Sequence, residues 1–73
     1  MSRLPVVSGR EMVRYLERKG FFMARQRGSH VLMKSPDGHR VTVPLHPELG
    51  RGTLLAILSE AGIERKEFVE EWR

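Results

Sequence analysis

The sequence predicts an α+β fold in which a three-stranded antiparallel sheet packs on helices in the order α-β-β-β-α, followed by a short C-terminal helix. Apolar residues recur at helical spacing in two segments, about residues 9–19 and 53–61. Between them, three short segments alternate loosely between apolar and polar residues and are separated by turn signals. The 73 residues leave room for one core, so we treat 1–73 as a single domain.

The first helix is predicted to begin at a capping box. The Ser8 hydroxyl can accept from the first-turn amides, and Glu11 can reach back to the cap. Gly20 supplies a left-handed stop, which gives a helix over about Gly9 to Lys19. Its apolar face contains Met12, Val13 and Leu16, with Tyr15 as a further candidate.

The three strands are predicted over residues 21–27, 30–34 and 39–44. Gly28-Ser29 separates the first two, and Ser35-Pro36-Asp37-Gly38 is a turn signal before the third. The residues expected to face the helices are Val31, Met33, Val41 and Val43. The alternation of strands then sends these residues to the opposite, open face: His30, Leu32, Lys34, Arg40 and Thr42.

A second amphipathic helix is predicted to begin near Thr53, after a loop from Leu45 to Arg51, and to end at Gly62. Its buried stripe consists of Leu54, Leu55, Ile57, Leu58 and Ala61. A last short helix starts at about Glu64 and is expected to bury Phe68, Val69 and Trp72. We assign the phenylalanine, methionine and leucine side chains to the core before any other role.

Positive charge is in excess and unevenly distributed. Thirteen Lys and Arg against nine Asp and Glu give a net charge of +4. The carboxylates that collect in the last part of the chain are Glu60, Glu64, Glu67, Glu70 and Glu71. The basic first part can bind a polyanion, or it can merely keep the surface soluble, and charge alone does not decide between these interpretations.

Several features predict a cytoplasmic protein without a membrane partner. The chain has no cysteine, so it needs no oxidising compartment. Its longest apolar run, residues 54–58, is far too short to span a bilayer, and nothing at the N-terminus resembles a signal peptide.

His30 is the candidate catalytic residue. A histidine, with an unperturbed pKa of about 6.5, can both accept and donate a proton near neutral pH. The preceding Gly28 permits close approach of a ligand, and Ser29 can hydrogen-bond a phosphate oxygen. Taken alone, a histidine at a strand edge is more often solvated or bonded to backbone.

The other two histidines are given different roles: His46 is interpreted as a loop residue or a second proton carrier, and His39 as plain surface. The histidine spacing does not resemble a zinc site, so no metal is expected.

Several short segments, taken together and in order, point to one family. They are Gly20-Phe21, Arg25 to His30, Asp37-Gly38, Val41 to Pro44 with His46, and Gly52 to Leu54 with Ile57-Leu58 and Ala61 to Ile63. The chain resembles the HicA family, small mRNA-cleaving toxins of prokaryotic toxin–antitoxin pairs, over nearly its whole length. One departure is Val31, where members often carry a polar or aromatic residue after the histidine.

The resemblance implies a fold similar to double-stranded-RNA-binding domains, catalysis by His30, and mRNA as the substrate. It also implies a cognate HicB-like antitoxin that binds and masks the site. Neither a metal nor another cofactor is expected. These properties come from the family and not from composition or spacing.

For cleavage, we hypothesise that neutral His30 removes the 2′-hydroxyl proton of RNA, that the 2′-oxygen attacks phosphorus in line, and that cations stabilise the negative charge that develops. Arg25 and Arg27 are the first candidates for phosphate contacts because guanidinium binds bidentately. The further candidates for RNA contact are Gly28, Ser29, Lys34, Arg40 and Arg51. The acid that protonates the leaving oxygen is not assigned.

Other classes of function compete with this one. A non-catalytic RNA-binding module would use the same basic surface without cutting RNA. A DNA-binding regulator ranks last because the second helix exposes Ser59 and Glu60 and lacks a basic reading surface. A structural subunit for an acidic partner is a further alternative.

Overall fold

Six elements follow one another in the predicted order in the computed structural model, which describes residues 3–72. They are α1 (Gly9–Arg18), β1 (Phe22–Arg27), β2 (His30–Lys34), β3 (Arg40–Pro44), α2 (Arg51–Ala61) and α3 (Arg65–Glu71). The sheet is antiparallel with strand order β1-β2-β3, so the predicted α+β class and topology are confirmed.

The capping box predicted for α1 is present. The Glu11 amide donates to Ser8 Oγ at 3.0 Å, and the Ser8 amide donates to Glu11 Oε1 at 2.9 Å. The helix ends at Arg18, with Lys19 as its cap and Gly20 at a φ of +100°, a value that favours glycine. Both ends of α1 are therefore encoded locally.

Gly9 lets the start of α1 lie directly against the end of β3. Its amide donates to the carbonyl of His46 at 2.9 Å. A Cβ at this position would lie 2.0 Å from the carbonyl oxygen of Pro44. The contact joins backbone to backbone, and no local sequence pattern predicts it.

One face of the sheet packs on α1 and α2 to form the core. Val31 lies opposite Val43 and Met33 lies opposite Val41, and all four side chains are buried as predicted. The helices contribute further large buried groups, which are Met12, Tyr15, Leu16, Leu54, Ile57, Leu58 and Phe68. The alternating burial of β2 and β3 turns their other side chains to the opposite face, which no helix within residues 3–72 covers.

The second helix begins earlier than predicted. Gly50 is its N-cap and Arg51 its first residue, so Arg51 belongs to α2 and not to the preceding loop. Thr53, where the helix was predicted to start, lies within its first turn. Gly62 ends the helix at a φ of +71°, as predicted.

The C-terminal helix is fixed against α1 by a group that we call the α1–α3 seam. The seam consists of Tyr15, Lys19, Glu67, Phe68, Glu71 and Trp72. The ring of Tyr15 meets that of Phe68 edge to face, with centroids 4.9 Å apart, and Trp72 lies 5.2 Å from Phe68. Phe68 is fully buried, whereas Trp72 is only partly so.

Polar contacts continue the seam at the surface. Lys19 Nζ lies 2.6 Å from Glu67 and 2.8 Å from Glu71, and the Tyr15 hydroxyl donates to Glu71 at 2.8 Å. These hydrogen bonds to Glu67 and Glu71 raise the pKa of Lys19, and those from Lys19 and Tyr15 lower the pKa of Glu71. Burial, reinforced by Glu71, raises the pKa of the Tyr15 phenol.

The assignment of all phenylalanine and methionine side chains to the core was wrong at two positions. Phe22 is 50% exposed and Met23 is 49% exposed, and every residue of β1 is exposed. Among the strands of residues 3–72, β1 is an edge strand that pairs with β2 on one side alone. The apolar side chains of this strand are consequently available at the surface.

No helix within residues 3–72 is both long enough and apolar enough to cross a bilayer.

Candidate nucleic-acid interface

The uncovered face of the sheet, which we call the open face, gathers most of the predicted site residues. Strand pairing arranges its side chains in three rows across the sheet. The rows are Phe22–Lys34–Arg40, Arg25–Leu32–Thr42 and Arg27–His30–Pro44. The predicted orientation of the β2 and β3 residues is confirmed, and the structure adds Arg25 and Arg27 to the same face.

His30 is the first residue of β2, and its side chain is exposed. It pairs with Arg27 across a two-residue turn and with Pro44 on its other side. Gly28, the first turn residue, has a φ of +58°, as a type II′ hairpin turn requires. The turn therefore fixes both the register of the hairpin and the neighbour of the imidazole.

Hydrogen bonds hold both carbonyls of this turn. Gln26 Nε2 donates to the Gly28 carbonyl at 3.1 Å, and the Leu45 amide donates to the Ser29 carbonyl at 2.6 Å. The second bond ties the turn to the residue that follows β3. The backbone immediately before His30 is thus anchored from both neighbouring strands, which orients an exposed side chain without burying it.

Four cations share the open face with His30. Arg25, Arg27 and Arg40 are exposed, and Lys34 is half-buried. Within the part of the chain that the structure describes, none of the four has an ion pair or a side-chain hydrogen bond. None of the nine open-face residues is acidic. The positive charge is therefore available to an external anion.

A carboxylate does lie near one end of this face, but it is engaged locally. Asp37, in the turn between β2 and β3, accepts a hydrogen bond from the Ser35 hydroxyl, and its other oxygen lies 3.7 Å from His39 Nε2. The Ser35 bond and the nearby His39 lower the pKa of Asp37. The turn thus satisfies its own carboxylate.

His39 lies at the surface, with its side chain 42% exposed, but it also has a specific partner that the sequence did not predict. Its Nδ1 lies 3.2 Å from the carbonyl oxygen of Glu60, a contact that requires the proton on Nδ1. A Cβ added at Gly62 would lie 2.8 Å from the ring. His39 therefore packs against the C-terminal end of α2, where it satisfies a helix carbonyl.

Two other predicted candidates lie apart from the strands. Arg51, in the first turn of α2, lines a groove with Leu4, Pro5 and Val6, so it is not a member of the open face. His46 is exposed in the loop after β3, and its carbonyl accepts from Gly9. Gly28 and Ser29 lie in the turn next to His30.

Taken together, these observations describe a small α+β domain with a basic, uncovered sheet face and an exposed imidazole, the class of surface that binds a polyanion. Residues 9–63 match the family model described as the HicA toxin of bacterial toxin–antitoxin systems. Since that range is more than half of the chain, the protein belongs to the HicA toxin family. Helix α3 follows the matched range.

A solved structure supports the same assignment. It is described as a toxin–antitoxin complex from Streptococcus pneumoniae, and one of its chains is 33% identical to this one with a TM-score of 0.67. The similarity covers 77% of this chain and 97% of the other. A comparison with curated proteins found no match.

Proposed function

We propose that this chain is the toxin of a type II toxin–antitoxin system, an endoribonuclease that cleaves mRNA with His30 as general base. The observation that carries the proposal is the exposed imidazole on a sheet face whose four cations have no ion pair within residues 3–72 and whose nine residues include no carboxylate. Membership of the HicA toxin family supports it.

The proposed reaction uses the nucleophile that RNA itself carries. A ring nitrogen of neutral His30 accepts the 2′-hydroxyl proton as the 2′-oxygen forms a bond to the adjacent phosphorus. The bond between phosphorus and the 5′-oxygen then breaks, and the leaving oxygen takes a proton from water or from a protonated side chain. The products are a 2′,3′-cyclic phosphate and a 5′-hydroxyl, and no metal is needed for this sequence of steps.

The cations stabilise the negative charge that develops on the phosphoryl oxygens. Arg27 is the nearest in register, since directly paired residues have Cβ atoms about 5 Å apart. Arg25, one row further along β1, can bind an adjacent phosphate, and Lys34 and Arg40 extend the positive surface. Because such contacts release counterions, binding should weaken as salt rises.

A cognate HicB-like antitoxin is the proposed protein partner. The Streptococcus pneumoniae structure contains a toxin with its antitoxin, and the open face of this chain would suit a partner that carries carboxylates. Such a partner would cover His30 and exclude RNA. Titration with the antitoxin should suppress cleavage, and their association should weaken with salt. Tight binding that leaves cleavage unchanged would contradict masking.

The decisive experiment compares the purified protein with His30→Gln on a short single-stranded RNA in the presence of a chelator. We expect the wild type to give cyclic-phosphate ends and His30→Gln to be slower by roughly 100- to 10,000-fold, the usual contribution of one general base. DNA of the same sequence should remain intact because it lacks the 2′-hydroxyl.

His39→Gln is the matched control because His39 packs against α2 and lies away from the open face. It should retain the wild-type rate, with thermal unfolding used to verify that all variants are folded. An unchanged rate in His30→Gln would remove His30 from the mechanism. RNA that binds but is never cut would favour the non-catalytic RNA-binding module.

A further inference from the structure

We propose that Phe22 is a base-stacking residue that selects single-stranded RNA by holding one unpaired base on the open face. This inference rests on the proposed function, because it takes RNA as the ligand. Phe22 was not among the predicted site residues, and its exposure is what draws attention to it. Phe22 is 50% exposed, so one side of its ring is open to a ligand on this face.

A β-bulge places Phe22 on this face. The pairing of β1 with β2 shifts between Met23 and Arg25, which leaves Ala24 as an extra residue. If Ala24 were instead paired regularly, with no bulge, strict alternation from Arg25 would turn Phe22 toward the helices and Met23 toward the open face. With the bulge, Phe22 pairs with Lys34, on the same face as His30.

The position of Phe22 separates the stacked base from the reacting one. From His30 to Lys34 the chain advances four strand residues, and Phe22 lies one strand further across. Strand geometry makes this about 14 Å, several times the spacing of about 3.4 Å between neighbouring bases of one duplex strand. The base on Phe22 therefore belongs to a nucleotide some way along the strand from the scissile phosphate.

Charge complementarity identifies the ligand. Lys34 is the direct neighbour of Phe22, Arg40 lies beyond it in the same row, and Arg25 follows the bulge on β1. An aromatic ring among backbone-binding cations is the combination with which proteins hold single-stranded nucleic acid, because each base offers a face for stacking and each phosphate offers a charge. A paired base in a duplex has both faces covered by its neighbours.

The test measures binding of a single-stranded oligouridine and of a blunt-ended, fully paired RNA duplex, both to proteins that carry His30→Ala so that neither RNA is cut. Adding Phe22→Ala should weaken binding of the single strand by about 5- to 150-fold, the usual effect of losing one stacked base. It should change binding of the duplex little. Phe22→Trp should retain the affinity for the single strand, whereas Phe22→Leu, which keeps an apolar side chain but has no ring, should not.

Met23→Ala is the matched control. Met23 is exposed to almost the same extent on the same strand, but it faces the groove beside α1. We expect no change in RNA binding for this variant. If Phe22→Ala weakened binding of the single strand and of the duplex equally, or if Phe22→Leu kept full affinity for the single strand, the stacking role would be overturned. A loss of antitoxin binding without a loss of RNA binding would also overturn it and assign Phe22 to a protein interface.

The same measurements separate this inference from the proposed function. If the wild type does not cut RNA but Phe22→Ala weakens binding of the single strand and not of the duplex, the stacking site stands and the nuclease proposal fails. If the wild type cuts RNA and all Phe22 variants bind alike, the nuclease stands and the stacking site fails. In an active protein, removing an interaction made equally in ground and transition states should raise KM and leave kcat unchanged.

Discussion

Lys19 and Arg25 are both cations near the surface of the same small domain, yet the fold gives them opposite surroundings. Lys19 lies in the α1–α3 seam, where its Nζ contacts two carboxylates within 3 Å. Arg25 lies on the open face, where the described part of the chain offers it no carboxylate. One cation helps to hold a helix in place, and the other is left for an external anion.

The difference follows from how the charges are distributed along the chain. The last segment carries Glu67 and Glu71, and α3 brings both to the end of α1. None of the three strands contains an acidic residue. The acidic C-terminal segment therefore neutralises the helical side of the molecule and leaves the sheet side basic. The positive electrostatic potential at the open face is therefore stronger than an even distribution of the net charge of +4 would produce.

The largest expected effect comes from breaking the seam at its buried centre. Phe68→Ala should lower the free energy of unfolding by about 3–5 kcal/mol, because it removes a fully buried ring and leaves a cavity. A domain of this size has only a few kcal/mol to lose, so this variant should be largely unfolded in thermal melts.

Phe68→Leu should lose less free energy of unfolding than Phe68→Ala, so a folded variant remains in which the seam and the open face can be compared. It should melt at a lower temperature than the wild type and still bind RNA with unchanged affinity below its melting point. Wild-type melting of Phe68→Ala would mean that α3 does not contribute to the fold. Weakened RNA binding by folded Phe68→Leu would mean that the seam and the open face are not independent.

A second prediction concerns the salt dependence of RNA binding. Replacing both Arg25 and Arg27 by Ala should reduce the slope of log affinity against log salt by about 0.7 for each phosphate of a single strand that is no longer neutralised. Lys19→Met removes one charge from the seam and should leave that slope unchanged. Equal slopes in all three proteins would contradict the assignment of phosphate binding to the open face.

The regular alternation of β2 and β3 explains why the open face could be predicted in part. Val31 and Met33 on β2 alternate with His30, Leu32 and Lys34, so burying Val31 and Met33 fixes the side on which His30 lies. A two-residue turn with glycine at its first position then fixes the register of β1 against β2. These features are local, and local features can be recognised in one sequence.

The remainder depends on contacts that no local pattern records. The bulge at Ala24 reverses the faces of Phe22 and Met23, and nothing in the segment predicts an extra residue there. Gly9 is required by the distant backbone of Pro44, and His39 finds its partner at the end of α2. Arg51 was selected by residue type alone, and its type does not reveal that it begins a helix.

The smallest expected effect is the pH dependence of stability. It tests the contrast between Lys19 and Arg25 because it depends on the carboxylates of the seam. The pKa of Glu71 in the folded protein lies below its usual value of 4.5, because Lys19 and Tyr15 donate hydrogen bonds to the carboxylate. A carboxyl group whose pKa is lower in the folded protein than in the unfolded chain stabilises the fold at pH values above its unfolded pKa. That stabilisation is lost as the pH falls through its folded pKa. The melting temperature should therefore decline as the solution is acidified below about pH 4.5.

Lys19→Met should make this decline shallower because it removes the group that lowers the pKa of Glu71 most. Some decline should remain, since the pKa of Asp37 is also lowered, by Ser35 and His39. Arg25→Ala is the matched control: having no carboxylate partner in the described chain, it should follow the wild-type curve. If Arg25→Ala flattened the curve as much as Lys19→Met, the open-face cations would share carboxylates with the seam, and their availability to RNA would be disproved.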